Sequence, residues 1–438
     1  MIRKKASLKS MFFVLFLGTA IISCNRNELI VNGVNGIFTN TGSPVTIDAK
    51  LNKNQLMAAK EGRLGISDPL NDEQNNPAIP VQLNGNGSNA NIIAILPGDE
   101  SGNRKFRLVE SKSPFNDQMK VLQDPESGQI IVKEDNKEVL QYNYKIVYEK
   151  DVIRLSDIKS EEFKRTEKDT FITSSIYAVP RSDYIHPLYG LSGEILTRDW
   201  PDGYHPHHRA IFWAWAEVEY GSERGDIYAL QRIFARPTGK IGYSGGPVFA
   251  QITAENLWMW EDKEPIVREH AVIRVYRASS TQRIIDLTII LEALKDSITI
   301  ATRHTDSYGG LNLRMQTPES QDISFFTDKA GSKPQRAWSD FNGIFKGNDS
   351  TSGLMVLQHH SNPEYPGAWV QYPNLAWIQP TFPSPNTRYP LRTTEPLILR
   401  YRLIIHSGGK TDTAISEMRW DAYNAIQAPT YDFKKTEK

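Results

Sequence analysis

From Gln129 onward the chain runs through short apolar stretches of period two, broken by turn residues, at the spacing of a large antiparallel sandwich. The predicted strands are 130–133, 139–149, 171–179, 210–220, 248–260, 267–277, 283–294, 298–303, 353–357 and 397–406. The last alternates cleanly. Leu397, Leu399, Tyr401, Leu403 and Ile405 share one face, and Arg400, Arg402 and His406 share the other. Charges on that second face predict one wet side, as in a concave binding sheet. In 210–220, Phe212, Ala214, Ala216, Val218 and Tyr220 face one way, and Trp213, Trp215, Glu217 and Glu219 the other. Ahead of this body, residues 24–125 read as a small accessory β region. Its strands at 45–49, 79–83 and 91–96 are separated by turn-rich tracts such as 84–89. The bland reading of that region is a spacer. Residues 126–420 form the catalytic body and 421–438 a C-terminal tail.

Composition agrees with an all-β chain: aromatics make up 10%, with 29 glycines and 25 prolines, and no long amphipathic helix is evident. No internal repeat and no glycine-rich phosphate loop is found. Charge is balanced, with 51 basic and 51 acidic residues. That excludes the basic excess of a nucleic-acid footprint.

Residues 1–23 read as a leader. Arg3, Lys4, Lys5 and Lys9 form a basic segment, and 11–22 is an apolar stretch too short to span a bilayer as a mature helix. Ile21-Ile22-Ser23-Cys24 resembles a bacterial lipoprotein cleavage box. Cys24 is the single cysteine, so lipidation there would anchor the mature chain to a membrane, periplasm-facing or at the cell surface. It would also leave no thiol for disulfides, nucleophilic catalysis or metal ligation.

The densest chemistry lies in 204–215, with three of the nine histidines, an arginine and two tryptophans. His205-Pro206-His207-His208-Arg209 reads as an irregular loop, because Pro206 removes a backbone donor and keeps His205 out of the helical region. A basic loop feeding a strand with tryptophans and carboxylates suits a carbohydrate site. Rings stack on the apolar faces of sugars, while imidazoles and carboxylates move protons.

These residues carry a resemblance. His186-Pro187-Leu188-Tyr189, Gly193-Glu194-Ile195-Leu196-Thr197 and His205-Pro206-His207-His208-Arg209 with Phe212-Trp213 resemble the bacterial PmoA-like proteins. So do Tyr308-Gly309-Gly310-Leu311-Asn312-Leu313-Arg314, Trp338-Ser339-Asp340-Phe341 and His360-Ser361-Asn362-Pro363. The likeness covers residues 140–410. Family members usually carry aspartate before the first histidine and glycine after the arginine, where this chain has Tyr204 and Ala210. The inherited name, methane oxygenase, does not fit, since such enzymes need several transmembrane helices. The resemblance implies a galactose-mutarotase-like supersandwich, here preceded by the small β-sandwich-like region. That fold is shared by sugar epimerases and polysaccharide lyases. Some members resemble dehydratases of ulvan-type oligosaccharides, which implies an acidic oligosaccharide substrate.

Such a reaction removes the C5 proton and the C4 hydroxyl of a terminal uronic acid and leaves a 4,5-unsaturated sugar. It needs a base, a cation on the carboxylate and an acid for the departing hydroxyl. His208 or His207 is expected to move the proton and Arg209 to hold the carboxylate. Tyr308 is a candidate phenolic acid or base. His186, His205, Trp213, Trp215, Arg303, His304, Arg314 and His360 are expected to contact substrate. Competing readings are packing for the tryptophans and Tyr308, and local hydrogen bonds or salt bridges for the rest. Trp369 and Trp377 are further candidate sugar platforms, and Glu217 and Glu219 candidate acids or a solvated strand end. His205, His207, His208 and His360 also raise the alternative of a divalent metal, although no His-Glu-x-x-His motif is present. Other functional readings are a polysaccharide lyase, a sugar epimerase and a non-catalytic glycan-binding surface lipoprotein.

Overall fold

In the computed structural model, strand Leu397–Ser407 places Leu397, Leu399, Tyr401, Leu403 and Ile405 in the main apolar core, as its alternation predicts. The same period-two logic builds the whole body. The residues described are 28–32, 37–67, 78–85, 91–97, 103–115, 119–148, 163–165, 170–172, 180–200, 205 and 207–425. The leader, Cys24, Tyr204, Pro206, the 173–179 part of one predicted strand and the tail beyond 425 lie outside them.

Among the described residues, two eight-stranded antiparallel sheets face each other across that core, an all-β sandwich. The first runs in the order Trp369–Tyr372, Trp377–Pro380, Gly309–Arg314, Ile211–Trp215, Tyr184–Leu188, Lys137–Asn143, Gln129–Glu134, Met119–Asp124. The second runs Ile233–Ser244, Phe249–Trp260, Glu264–Tyr276, Gln282–Ala293, Leu397–Ser407, Ser352–Gln358, Ala337–Ile344, Glu319–Thr327. Strand Met119–Asp124, expected in the accessory region, is thus the edge of the first sheet.

The predicted strand 210–220 is two strands. Ile211–Trp215 belongs to the first sheet, whereas Glu217–Tyr220 joins a separate four-stranded sheet. The change occurs because the Trp215 carbonyl accepts from the N–H groups of Ile227 and Tyr228, which ends the ladder there. Trp213 and Trp215 point between the sheets. Trp213 and Trp258 donate their indole N–H groups to the two oxygens of buried Glu269, at 2.7 and 2.8 Å, and Trp215 donates to the Phe382 carbonyl at 2.7 Å. Burial, and then Asp183, hold the Glu269 carboxyl well above the usual range.

The wet face expected on Leu397–Ser407 is covered. Helix Thr413–Ala425 lies over it, with Tyr423 4.5 Å below the Arg402 guanidinium, which pairs bidentately with Asp286 at 2.6 and 2.8 Å. His406 pairs with Asp340 at 2.8 Å. Trp420 and Tyr423 share an apolar cluster with Ile284, Met355, Leu357 and Ile404 of the sheet, so the expected tail begins as helix.

Among its described residues the accessory region holds two small sheets and two helices, Ile37–Asn40 and Lys53–Lys60, around an apolar cluster that also takes in Ala422 of the C-terminal helix. Gln82 fastens it to the second sheet: its amide oxygen accepts from Val248 and Phe249 N–H at 3.0 and 2.9 Å, and its amide nitrogen donates to the Phe249 carbonyl at 3.0 Å. No described helix is long and apolar enough to cross a membrane.

Candidate functional site

Three neighbouring strands of the first sheet meet at one rim. Ile211–Trp215 starts there, Gly309–Arg314 ends there and Trp377–Pro380 starts there. Arg314 sits opposite Trp377 in the ladder, and its N–H donates to the Ala210 carbonyl at 2.8 Å. The loop that feeds the first of these strands is a tight turn, closed by His208 N–H on the His205 carbonyl at 2.9 Å. His205 and Ala210 both adopt left-handed backbone, at φ 61° and 51°. His205 thus stays out of the right-handed helical region, as expected ahead of proline, in a left-handed rather than an extended conformation. Histidine is among the non-glycine residues that tolerate this region, and Ala210 occupies a position where glycine is the easier choice.

This backbone piles up the rings. His205 lies parallel to His208, with centroids 5.1 Å apart and planes at 10°. His208 lies on Trp377 at 5.8 Å and 18°, and Trp377 on Tyr372 at 4.9 Å and 16°. His207 stands edge-on to both His205 and His208, at 87° to each. Tyr228 closes one side, edge-on to His207 and His208, and Tyr308 packs on Tyr228 and Trp377. Only Tyr372 shows a large ring face to solvent in this column, at 39% exposure, against 1% for Trp377.

Polar atoms that find no partner among the described residues collect here. They are Nδ1 of His208, the Tyr228 hydroxyl, and Nε and Nη1 of Arg314, all buried. Such atoms also occur elsewhere, at Ser339, Ser352 and Arg402 for example, but here donors gather beside three imidazoles, where they can serve a ligand. Burial, and then the nearby Arg198, pull the Arg314 pKa down to about 10, so it is still a cation at neutral pH. Burial holds the His208 imidazole well below its usual range, helped by His207, Arg314 and His205. Burial and Arg314 lower His205 as well. Burial drives the Tyr228 phenol well up and Tyr308 up to about 12. The site therefore offers neutral imidazoles, un-ionised phenols and one buried cation without a carboxylate partner among the described residues.

Several expected site residues lie elsewhere. Arg209 is fully buried and held by structure: it pairs with Asp199, 3.0 Å from Nη2 to Oδ2, donates to the Tyr184 hydroxyl and lies 3.6 Å over the Trp200 ring, which leaves Nη1 as its one atom without a partner among the described residues. It is not placed to hold a substrate carboxylate. Trp213 and Trp215 belong to the sandwich interior and present no face to a sugar. Trp377 is sandwiched between Tyr372 and His208. Trp369 is half-buried against Phe325. His186 hydrogen-bonds Thr197 at 3.0 Å beside the Asp199–Arg209 pair. Arg303 faces Asp226 at 3.4 Å, and exposed His304 gives its backbone N–H to Glu217. Glu217 is buried and tied to Arg224 and Arg388, not solvated. Glu219 pairs with Arg388 at 3.4 Å. His360 is exposed next to Trp420 and Asn424 of the C-terminal helix, apart from the imidazole cluster. What the rim does bring together is His205, His207, His208, Arg314 and Tyr308. Tyr228, Arg198 and Tyr372 join them without any sequence signal beyond residue type.

Buried Asp226, paired with Arg303, sets a pH dependence. Burial raises its carboxyl to about 6, against hydrogen bonds from Ala229 and Tyr228 and the pull of Arg303. A raised folded-state value means that this stability is complete below the unfolded pKa and is lost as pH rises through about 6. The Asp226→Asn variant escapes that loss. Between pH 4 and pH 7 the difference in unfolding free energy should move in its favour by about 2 kcal/mol. Urea unfolding at the two pH values checks this, and parallel pH curves for parent and variant would refute it.

The chain matches the family DUF6807, described as a family of unknown function, over residues 129–419. No curated protein matches it.

Proposed function

The chain belongs to the DUF6807 family, whose function is unknown, and from the rim of the first sheet we propose an elimination on acidic oligosaccharides. The reaction is the loss of water from a terminal uronic acid to give a 4,5-unsaturated end. The observation that carries this reading is Arg314, a buried guanidinium whose Nε and Nη1 have no partner among the described residues, next to three imidazoles and two phenols. A planar cation in that state is a carboxylate receptor.

With the substrate carboxylate on Arg314, negative charge that develops at C5 is drawn toward the cation, and the C5–H bond becomes more acidic. The imidazole cluster is the basic wall that withdraws the proton. The half-exposed Tyr308, whose phenol is un-ionised at neutral pH, delivers a proton to the departing C4 hydroxyl. The carbon skeleton loses one hydrogen and one hydroxyl, and water leaves. Tyr372 offers its outer ring face to the next sugar. Arg314 replaces Arg209 in the role first expected for the latter. A lyase on the same site would release a sugar from C4 in place of water, so the products separate the two.

Tyr308→Phe should lower the rate of double-bond formation by roughly 10²–10⁴, as loss of a general acid does. Substrate binding should change little. Ultraviolet absorbance of the conjugated product on uronate-ended oligosaccharides measures it. An unchanged rate in Tyr308→Phe would remove this phenol from the reaction.

A further inference from the structure

The loop 205–208 brings three imidazoles together. One donor nitrogen from each of His205, His207 and His208 lies within 4.8 Å of the others. Two rings are parallel, and the third stands at 87° to both. His208 keeps a buried Nδ1 without a partner among the described residues. We propose that His205, His207 and His208 hold a divalent transition-metal ion of the zinc class, and that a substrate carboxylate bridges this ion and Arg314.

The donor set selects the ion. Three imidazole ligands suit zinc and its neighbours, whereas calcium and magnesium take oxygen ligands. Three protein ligands with an open fourth position is the pattern of a catalytic zinc site. A tetrahedral set with bonds of about 2.0–2.1 Å needs nitrogen separations of roughly 3.3 Å. Small rotations of half-exposed His205 and His207 toward buried His208 achieve that closure.

The surroundings select the remaining ligand. Among the described residues the cluster offers three imidazoles and no carboxylate. Arg314 adds a further positive charge beside the cluster, opposite Trp377 in the ladder, and Trp377 stacks on His208. A site of that charge is completed by an anion, and a uronate carboxylate has one oxygen for each cation. Metal and sugar acid therefore bind with positive coupling. This part rests on the elimination reading above, which supplies the anion. On it, the three imidazoles serve as ligands and accept no proton, so the C5 proton leaves to water while Tyr308 keeps its role as the acid for the departing hydroxyl.

The test is calorimetric titration of chelator-stripped full-length protein with Zn²⁺, with and without glucuronate, alongside the visible spectrum of the Co²⁺-loaded protein. The expected result is one ion per chain, a tetrahedral-type cobalt spectrum, and loss of both in His207→Ala and in His205→Ala. Glucuronate should tighten Zn²⁺ binding within the roughly 5–150-fold range of coupled sites, and Arg314→Met should abolish that tightening while keeping the ion. Absence of stoichiometric binding, or binding that survives both histidine variants, overturns the site. Tightening that persists in Arg314→Met overturns the bridge. Loss of water by fully chelated protein that binds no Zn²⁺ sinks this inference and leaves the elimination standing. Stoichiometric Zn²⁺ binding with no water lost from any uronate-ended substrate does the reverse.

Discussion

Arg314→Met is expected to lower turnover on uronate-ended oligosaccharides by at least about a hundredfold. Hydrogen bonds to charged groups contribute about 1.5–3 kcal/mol each, and a bidentate pair is lost. At about 1.4 kcal/mol per tenfold that is roughly 10²–10⁴. Arg314→Lys should not rescue it, because a point charge cannot reproduce the planar fork. The same Arg314→Met variant should fold at least as stably as the parent. Arg314 is 4% exposed and has no carboxylate partner among the described residues, so an apolar side chain there removes a desolvation cost without orphaning an anion. Activity lost with stability kept is the signature of a binding cation. The opposite outcome, a destabilised protein that still turns over at the parental rate, would make Arg314 structural.

Arg209→Ala is expected to cost about 3–5 kcal/mol of folding stability, the range for breaking a buried ion pair from one side. It would leave Asp199, whose side chain is 10% exposed, without its guanidinium, and it would remove a donor to Tyr184 and the cation over Trp200. Arg209→Met with Asp199→Asn should recover much of that loss, because no charge is then stranded. Denaturant unfolding of the single and double variants measures the difference. A single variant within 1 kcal/mol of the parent, together with abolished turnover, would return Arg209 to the substrate.

The two arginines show where the sequence stops being informative. Both follow or flank family motifs, and both are candidates for the same carboxylate. Their difference is who stands opposite them. Asp199 is brought back onto Arg209 by an isolated bridge between the two residues, while among the described residues no carboxylate reaches Arg314. Local patterns were readable. The alternation of Leu397–Ser407 correctly assigned its inner face, and the histidines of 205–208 converge because they are neighbours in one turn. Faces set by distant chain were not readable. Arg402 and His406 look like solvent residues until the C-terminal helix covers them and Asp286 and Asp340 pair with them. Trp213 and Trp215 were assigned to the correct side of their strand, but that side meets the second sheet through Glu269 and the Phe382 carbonyl. Ile233–Ser244 and Ala337–Ile344 escaped notice because proline, glycine and polar residues interrupt their apolar rhythm.

The central claim is that this rim removes water from the end of an acidic sugar chain. The direct measurement is mass spectrometry of uronate-ended oligosaccharides before and after incubation with the purified protein. Loss of one water per chain, with chain length unchanged and Arg314→Met inert, is the predicted result. Shortened chains, or chains recovered at their starting mass, would contradict it.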